Sequence, residues 1–238
     1  MKEYYRNREF ICLEEITNYP GKKDAVGFFK DLCIETTHAL NDYSKHQERY
    51  EHGFEMREQP VKTYLTISLG KITKNNVIQE YSIERNCFHK KDKNKTNTGR
   101  LDYWASIEKT AFLIEVKHGW VRYYKKNVFK FYSELMDKMD EANKQIDKII
   151  DKKNLHDEKK RLFGLSLIVA PIYGRNVKFE TMHFSSENLD YYWKQCKNIG
   201  ANIVGIWRLS NDYNQNVDFT DNIYGVFFIG KLKKITKK

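Results

Sequence analysis

Proline is scarce in this chain, with three in 238 residues. No Ser/Gly/Pro-rich stretch divides it either, so one folded domain is expected over 1–238 rather than two joined by a linker. Cysteine is nearly as scarce. Cys12, Cys33, Cys87 and Cys196 lie far apart with no C-x-x-C pair. That spacing argues against a zinc ribbon or a redox pair and fits a reduced, intracellular protein, with the cytoplasm as the expected compartment. The histidines form no H-x-x-x-H or H-E-x-x-H pattern, which excludes those histidine-based metal motifs. No apolar run approaches bilayer-spanning length, and the opening MKEYYRNREF has no apolar signal core. Neither a membrane helix nor a secretory leader is expected.

Apolar and cationic residues are plentiful. A hydrophobic fraction of 40% with 14% aromatics is enough to build a core, which argues against general disorder. Lys and Arg outnumber Asp and Glu by 42 to 32, a formal charge of +10. Such a surface favours a polyanionic partner, because each phosphate neutralised releases condensed counterions. A solvated Lys-rich surface without any such partner accounts for the same excess.

Residues 23–50 place Val26, Phe29, Leu32, Cys33, Thr36, Ala39, Leu40 and Tyr43 at helical spacing and predict a long helix. Residues 61–72 alternate Val61, Thr63, Leu65, Ile67 and Leu69 against Lys62, Tyr64, Thr66 and Ser68, which predicts an edge strand. A further strand is expected over 77–88, then a basic polar loop over 89–98. Two short strands follow within 99–117. A second long helix is expected over 127–153, with Asn127 as its cap. The apolar run 162–173 predicts a strand buried on both faces, reached by a helical crossover and so parallel to an earlier strand. Ser185 caps a helix of about 186–199, and strands are expected at 202–210 and 223–232. This alternation predicts an α/β fold with a core of about 23–210, leaving 1–22 and 233–238 peripheral.

The stretch GRLDYWASIEKTAFLIEVKHGW, residues 99–120, carries the chemistry. If its two strands pair as a hairpin, Asp102, Glu115 and Lys117 project from one face near the same end. Neighbouring carboxylates repel, and a divalent metal relieves that repulsion through hard oxygen ligands. These residues resemble the signature of the PD-(D/E)xK nuclease superfamily. That signature is an acidic residue on one strand of a meander and E-x-K on the next, here Asp102 and Glu115-Val116-Lys117. Leu101 stands where the motif has proline. A second E-x-K, Glu158-Lys159-Lys160, lies in a charged run without apolar neighbours, so no strand is expected around it.

The resemblance covers the middle third to half of the chain. It implies a restriction-endonuclease-like mixed β-sheet flanked by helices. It also implies a Mg²⁺-dependent nuclease, with Mn²⁺ as a substitute ion, hydrolysing phosphodiester bonds in DNA, with RNA left open. Restriction, defence and repair endonucleases share this core. By the same resemblance Asp102, Glu115 and the Val116 carbonyl hold the metal, and Lys117 orients water or stabilises developing charge. Glu35 on the first helix, or Glu80 or Glu84 on the strand beside Asp102, would add a carboxylate, and Gln145 or Lys138 on the helix after E-x-K is available to face the site. A flank glutamate at 35, a cross-strand salt bridge at Glu80 and solvated helix-face residues at 138 and 145 are the competing readings.

Lys90, Lys91, Lys93 and Lys95 in the basic loop, with Arg100 beside it, are candidate phosphate contacts. Arg122, Lys125 and Lys126 interleave with Tyr123 and Tyr124 and could pair phosphates while the rings stack on bases. A solvated loop, and a strand end that packs its tyrosines, are the competing readings. A homodimer is an expectation of restriction-type members, since duplex cleavage needs two sites, although no heptad or apolar interface shows in the sequence. Two alternatives stay open: a catalytically inactive subunit with the nuclease fold that binds nucleic acid or serves assembly, and a basic α/β protein in which Glu115 and Lys117 form a salt-bridge ladder.

Overall fold

In a computed structural model of the chain, the described residues are 1–7, 9–46, 58–86, 96–124, 128–131, 133–149, 161–175, 183–208 and 221–235. The element order is β1 (Lys2–Arg6), β2 (Phe10–Glu14), α1 (Lys22–His46), α2 (Glu58–Thr73), β3 (Val77–Asn86), β4 (Thr96–Ile107), β5 (Thr110–His118), β6 (Val121–Tyr124), β7 (Val128–Phe131), α3 (Glu134–Asp147), β8 (Arg161–Arg175), α4 (Ser186–Asn198), β9 (Ile203–Arg208) and β10 (Asp221–Ile235). The strands form one mixed sheet in the order β1-β2-β9-β10-β8-β5-β4-β3, with β6 joined to β8 and β7 to β6.

The strands β3, β4 and β5 form an antiparallel meander. Helix α3 then carries the chain over the sheet, and β8 returns parallel to β5, pairing Thr110 with Arg161 through His118 with Val169. A parallel return needs such a crossover, because a tight turn can only reverse direction. The expected crossover into a doubly buried strand is therefore present: Leu162 to Ile172 lies almost wholly out of solvent.

Alternating side chains divide the interior into layers. Phe112, Ile114, Val116, Phe163, Leu165 and Leu167 pack with Phe29, Leu32, Val61, Leu65 and Leu69 of α1 and α2. Ile168, Ala170, Val204, Ile206 and Phe227 pack with Leu135 and Met139 of α3 and with Leu189 and Tyr192 of α4. Ala111, Leu113 and Leu162 meet Ile146 of α3 on that same second side. Two helices cover each face of the sheet.

Four segments depart from expectation. Residues 61–72 lie in helix α2, not in an edge strand. An apolar residue at every second position is also one at every fourth, and Val61, Leu65 and Leu69 are the three buried here while Ile67 is 46% exposed. The front of the expected helix 127–153 is instead the hairpin β6–β7, pairing Val121 with Phe131 and Tyr123 with Phe129. β-branched and aromatic residues fit a pleated surface better than a first helical turn. Asn127 lies outside the described residues; the residue at the start of α3 is Ser133. Lastly, residues 1–22 are not peripheral: β2 pairs with β9, and Phe10 to Leu13 are buried. At the other end β10 runs to Ile235, which pairs with Leu162.

Candidate active site

The sheet opens between β4 and β5. The ladder between β4 and β5 ends at Tyr103 opposite Ile114. Upstream of Tyr103, β4 continues against β3, and beyond Ile114, β5 continues against β8. Asp102 and Glu115 are the first residues past the last rung, so they flank the mouth of a notch between two parting strands.

Asp102 sits in that notch. Its Oδ2 accepts a hydrogen bond of 2.7 Å from the Val116 backbone N–H, where a regular ladder would offer a carbonyl. Its Oδ1 accepts 2.8 Å from the ammonium of Lys62 on α2. Alternation along β4 breaks here: Leu101 packs on the α3 side, whereas Tyr103, two residues on, packs on the α1/α2 side. Across the other ladder the pairs 79–103 and 81–101 flank Glu80, whose φ of +53° is left-handed. A non-glycine residue rarely adopts that region within a strand. The β3–β4 ladder is thus irregular at the residue opposite Asp102.

Glu115 and Lys117 face the α3 layer. Glu115 pairs in register with Ser166, whose hydroxyl donates to Asn143 of α3, and Glu115 itself is buried. The Lys117 ammonium lies 2.8 Å from Glu141 of α3, which also accepts from Gln145 at 3.2 Å. Lys138, one turn before Glu141, donates to the His118 carbonyl. The helix can approach this closely because Gly119 has no side chain: a Cβ there would lie 2.2 Å from Leu135. Glu115 and Lys117 therefore share a face of the sheet, whereas Asp102, expected on that same face, turns into the gap and toward α2 because alternation breaks between Leu101 and Tyr103.

The Val116 carbonyl belongs to the same gap. In an extended strand a residue's N–H and C=O point to one side. Because the Val116 N–H reaches Asp102, its carbonyl opens toward the notch as well.

The remaining candidates scatter. Glu35 pairs with Lys71 at 3.6 Å, nine residues and about 14 Å along α2 from Lys62, so it is held away from the notch. Arg100 is exposed on β4, 3.8 Å from Glu80. Arg122 lies over the Tyr124 ring at 5.1 Å. The side chain of Glu84, and residues Lys90, Lys91, Lys93, Lys95, Lys125 and Lys126, lie outside what is described. Among the described residues no group of three or more His, Cys, Asp or Glu is gathered as for a metal ion.

Two participants escape a reading of the sequence alone: Lys62 and Glu141. Lys62 was hidden by the strand-like alternation of 61–72, although its place beside the i, i+4 stripe of Val61, Leu65 and Leu69 points it at the sheet. Glu141 had the signal of standing one turn before Gln145 on the same helix face.

No family model, no curated protein and no solved structure matches the chain. Among the described residues no helix is long and apolar enough to cross a membrane.

Proposed function

We propose that the protein is a Mg²⁺-dependent nuclease of the restriction-endonuclease-like kind, acting on phosphodiester bonds of DNA. The observation that carries this reading is the notch: Asp102 and Glu115 flank the point where β4 and β5 part, and the Asp102 carboxylate accepts from the Val116 N–H between them, with the Val116 carbonyl turned into the same opening. The order of helix, three-strand meander, crossover helix and parallel strand supports it, being the arrangement the resemblance implies.

The donors fit the ion. Mg²⁺ takes oxygen ligands, commonly one or two carboxylates completed by water, and does not need a three-carboxylate cage. Asp102, Glu115 and the Val116 carbonyl would hold it. Bound there, the ion would supply Lewis-acid stabilisation of phosphate charge and a water of lowered pKa.

The chain's own residues have separable tasks. The Val116 N–H and Lys62 fix the Asp102 carboxylate in the gap. Lys117 carries its ammonium on the same strand face as buried Glu115, two residues on, where it could orient a water or meet charge developing on the phosphate. Glu141 and Gln145 steady that ammonium from α3. The excess of cationic residues would draw in the polyanion.

One observation favours a second reading, an inactive nucleic-acid-binding or assembly subunit with the same fold: both oxygens of Asp102 already have donors. One experiment separates the two. Purified protein is incubated with plasmid DNA and with RNA in Mg²⁺, Mn²⁺, Ca²⁺ or chelator. Cleavage in Mg²⁺ or Mn²⁺ is expected, with little turnover in Ca²⁺. Asp102→Asn and Lys117→Ala should each lower the rate by about 10²-fold or more. Cleavage that survives the chelator, or wild-type rates in either variant, rejects the assignment. Nucleic-acid binding without cleavage in any ion selects the second reading.

A further inference from the structure

We infer that Lys62 is a resident cation of this site, occupying the divalent ion's place on Asp102 until the ion displaces it. The inference rests on the reading of the notch as a metal centre and concerns how that centre is filled.

The pair is enclosed: the side chains of Lys62 and Asp102 are 11% and 12% exposed. A carboxylate so little hydrated needs a cation beside it. Of its two oxygens, Oδ2 is committed to the Val116 N–H, so Oδ1 is the one left for an incoming ion, and Lys62 sits on Oδ1.

The lysine is also held at its backbone. The Tyr103 hydroxyl donates to the Lys62 carbonyl, and the Thr66 hydroxyl lies 2.8 Å from that carbonyl and 3.3 Å from the Tyr103 hydroxyl. Consecutive residues of β4 thus grip one residue of α2, Asp102 by its ammonium and Tyr103 by its carbonyl. This is a fixed position, unlike a long side chain that settles on the surface wherever charge allows. Lysine and metal draw on the same carboxylate oxygen, so each weakens the other's hold. The apparent metal affinity of the wild type is lowered in proportion to how seldom Asp102 is released.

The test is a thermal-shift titration with MnCl₂ and with CaCl₂, without nucleic acid, on wild type, Lys62→Gln, Lys62→Met, Lys62→Arg and Asp102→Asn. The Gln variant keeps an N–H donor for Oδ1 and guards against a Met variant too unstable to read. Both neutral variants should melt lower than wild type without metal and respond at metal concentrations lower by about tenfold or more. Lys62→Arg should restore the wild-type midpoint, and Asp102→Asn should abolish the response. Equal midpoints in wild type and the neutral variants, with Asp102→Asn silent, overturn the role of Lys62 and leave the metal centre standing. Silence in every protein overturns both.

Discussion

Asp102 holds a backbone amide of one strand and an ammonium from a helix at once, which sets what its replacements should do. Asp102→Ala removes the carboxylate that faces the Lys62 ammonium in a nearly dry position, a loss of about 3–5 kcal/mol for breaking a buried pair. Asp102→Asn keeps an oxygen for the Val116 N–H and should lose less. Lys117→Ala breaks a contact to Glu141, whose side chain is 56% exposed, and should lose no more than about 1 kcal/mol. Urea denaturation checks this order, and a Lys117→Ala loss above that of Asp102→Ala refutes it. The shared face of Glu115 and Lys117 was legible from the sequence because strand alternation fixes which neighbours share a face, whereas the turn of Asp102 out of that face was not, because alternation breaks between Leu101 and Tyr103. Lys62 was not, since it reaches Asp102 from 40 residues upstream and nothing local records that distance.

At the scale of elements, helix α2 shows how far patterning alone can be trusted. Alternation over 61–69 satisfies a strand and a helix equally, and the tie is broken by the sheet, which has its edge at β3 and needs that flank covered. The two assignments differ in a measurable way. In a strand Leu65 and Ile67 would face the same side and matter alike. In α2 Leu65 is buried and Ile67 is exposed. Leu65→Ala should lose about 2–5 kcal/mol, whereas Ile67→Ala should stay within about 0.5 kcal/mol of wild type. Equal losses in chemical denaturation reject the helix. Longer patterns were read correctly: α1 from its apolar stripe, β8 from its continuous apolar run, and α4 from Ser185, whose hydroxyl accepts from the Asn188 N–H. The hairpin β6–β7 is concealed in the sequence because Val128 and Phe131 also fit the helical stripe of the residues that follow.

For the whole molecule, the layered packing encloses thiols from two distant parts of the chain. Cys12 and Cys33 lie in the core between the sheet and α1, and Cys196 lies under α4. Burial pushes the Cys12 thiol up to about 12 from an ordinary 9.0. The folded chain therefore holds that proton where the unfolded chain releases it. Stability from this source is fully present below about pH 9 and falls as pH rises toward 12. At about pH 8 all three thiols should resist iodoacetamide until the chain unfolds, as site-resolved mass spectrometry would report. Rapid labelling of Cys12 or Cys33 in the native protein would contradict the packing of α1 on the sheet.

A continuous sheet insulates what happens on one side of a protein from what happens on the other. At Asp102 that partition is pierced, because a single carboxylate joins the ammonium of a covering helix to a backbone N–H inside the sheet itself. Charge brought to or taken from Lys62 is therefore felt by the backbone of the strand that carries Glu115 and Lys117 without any strand having to move.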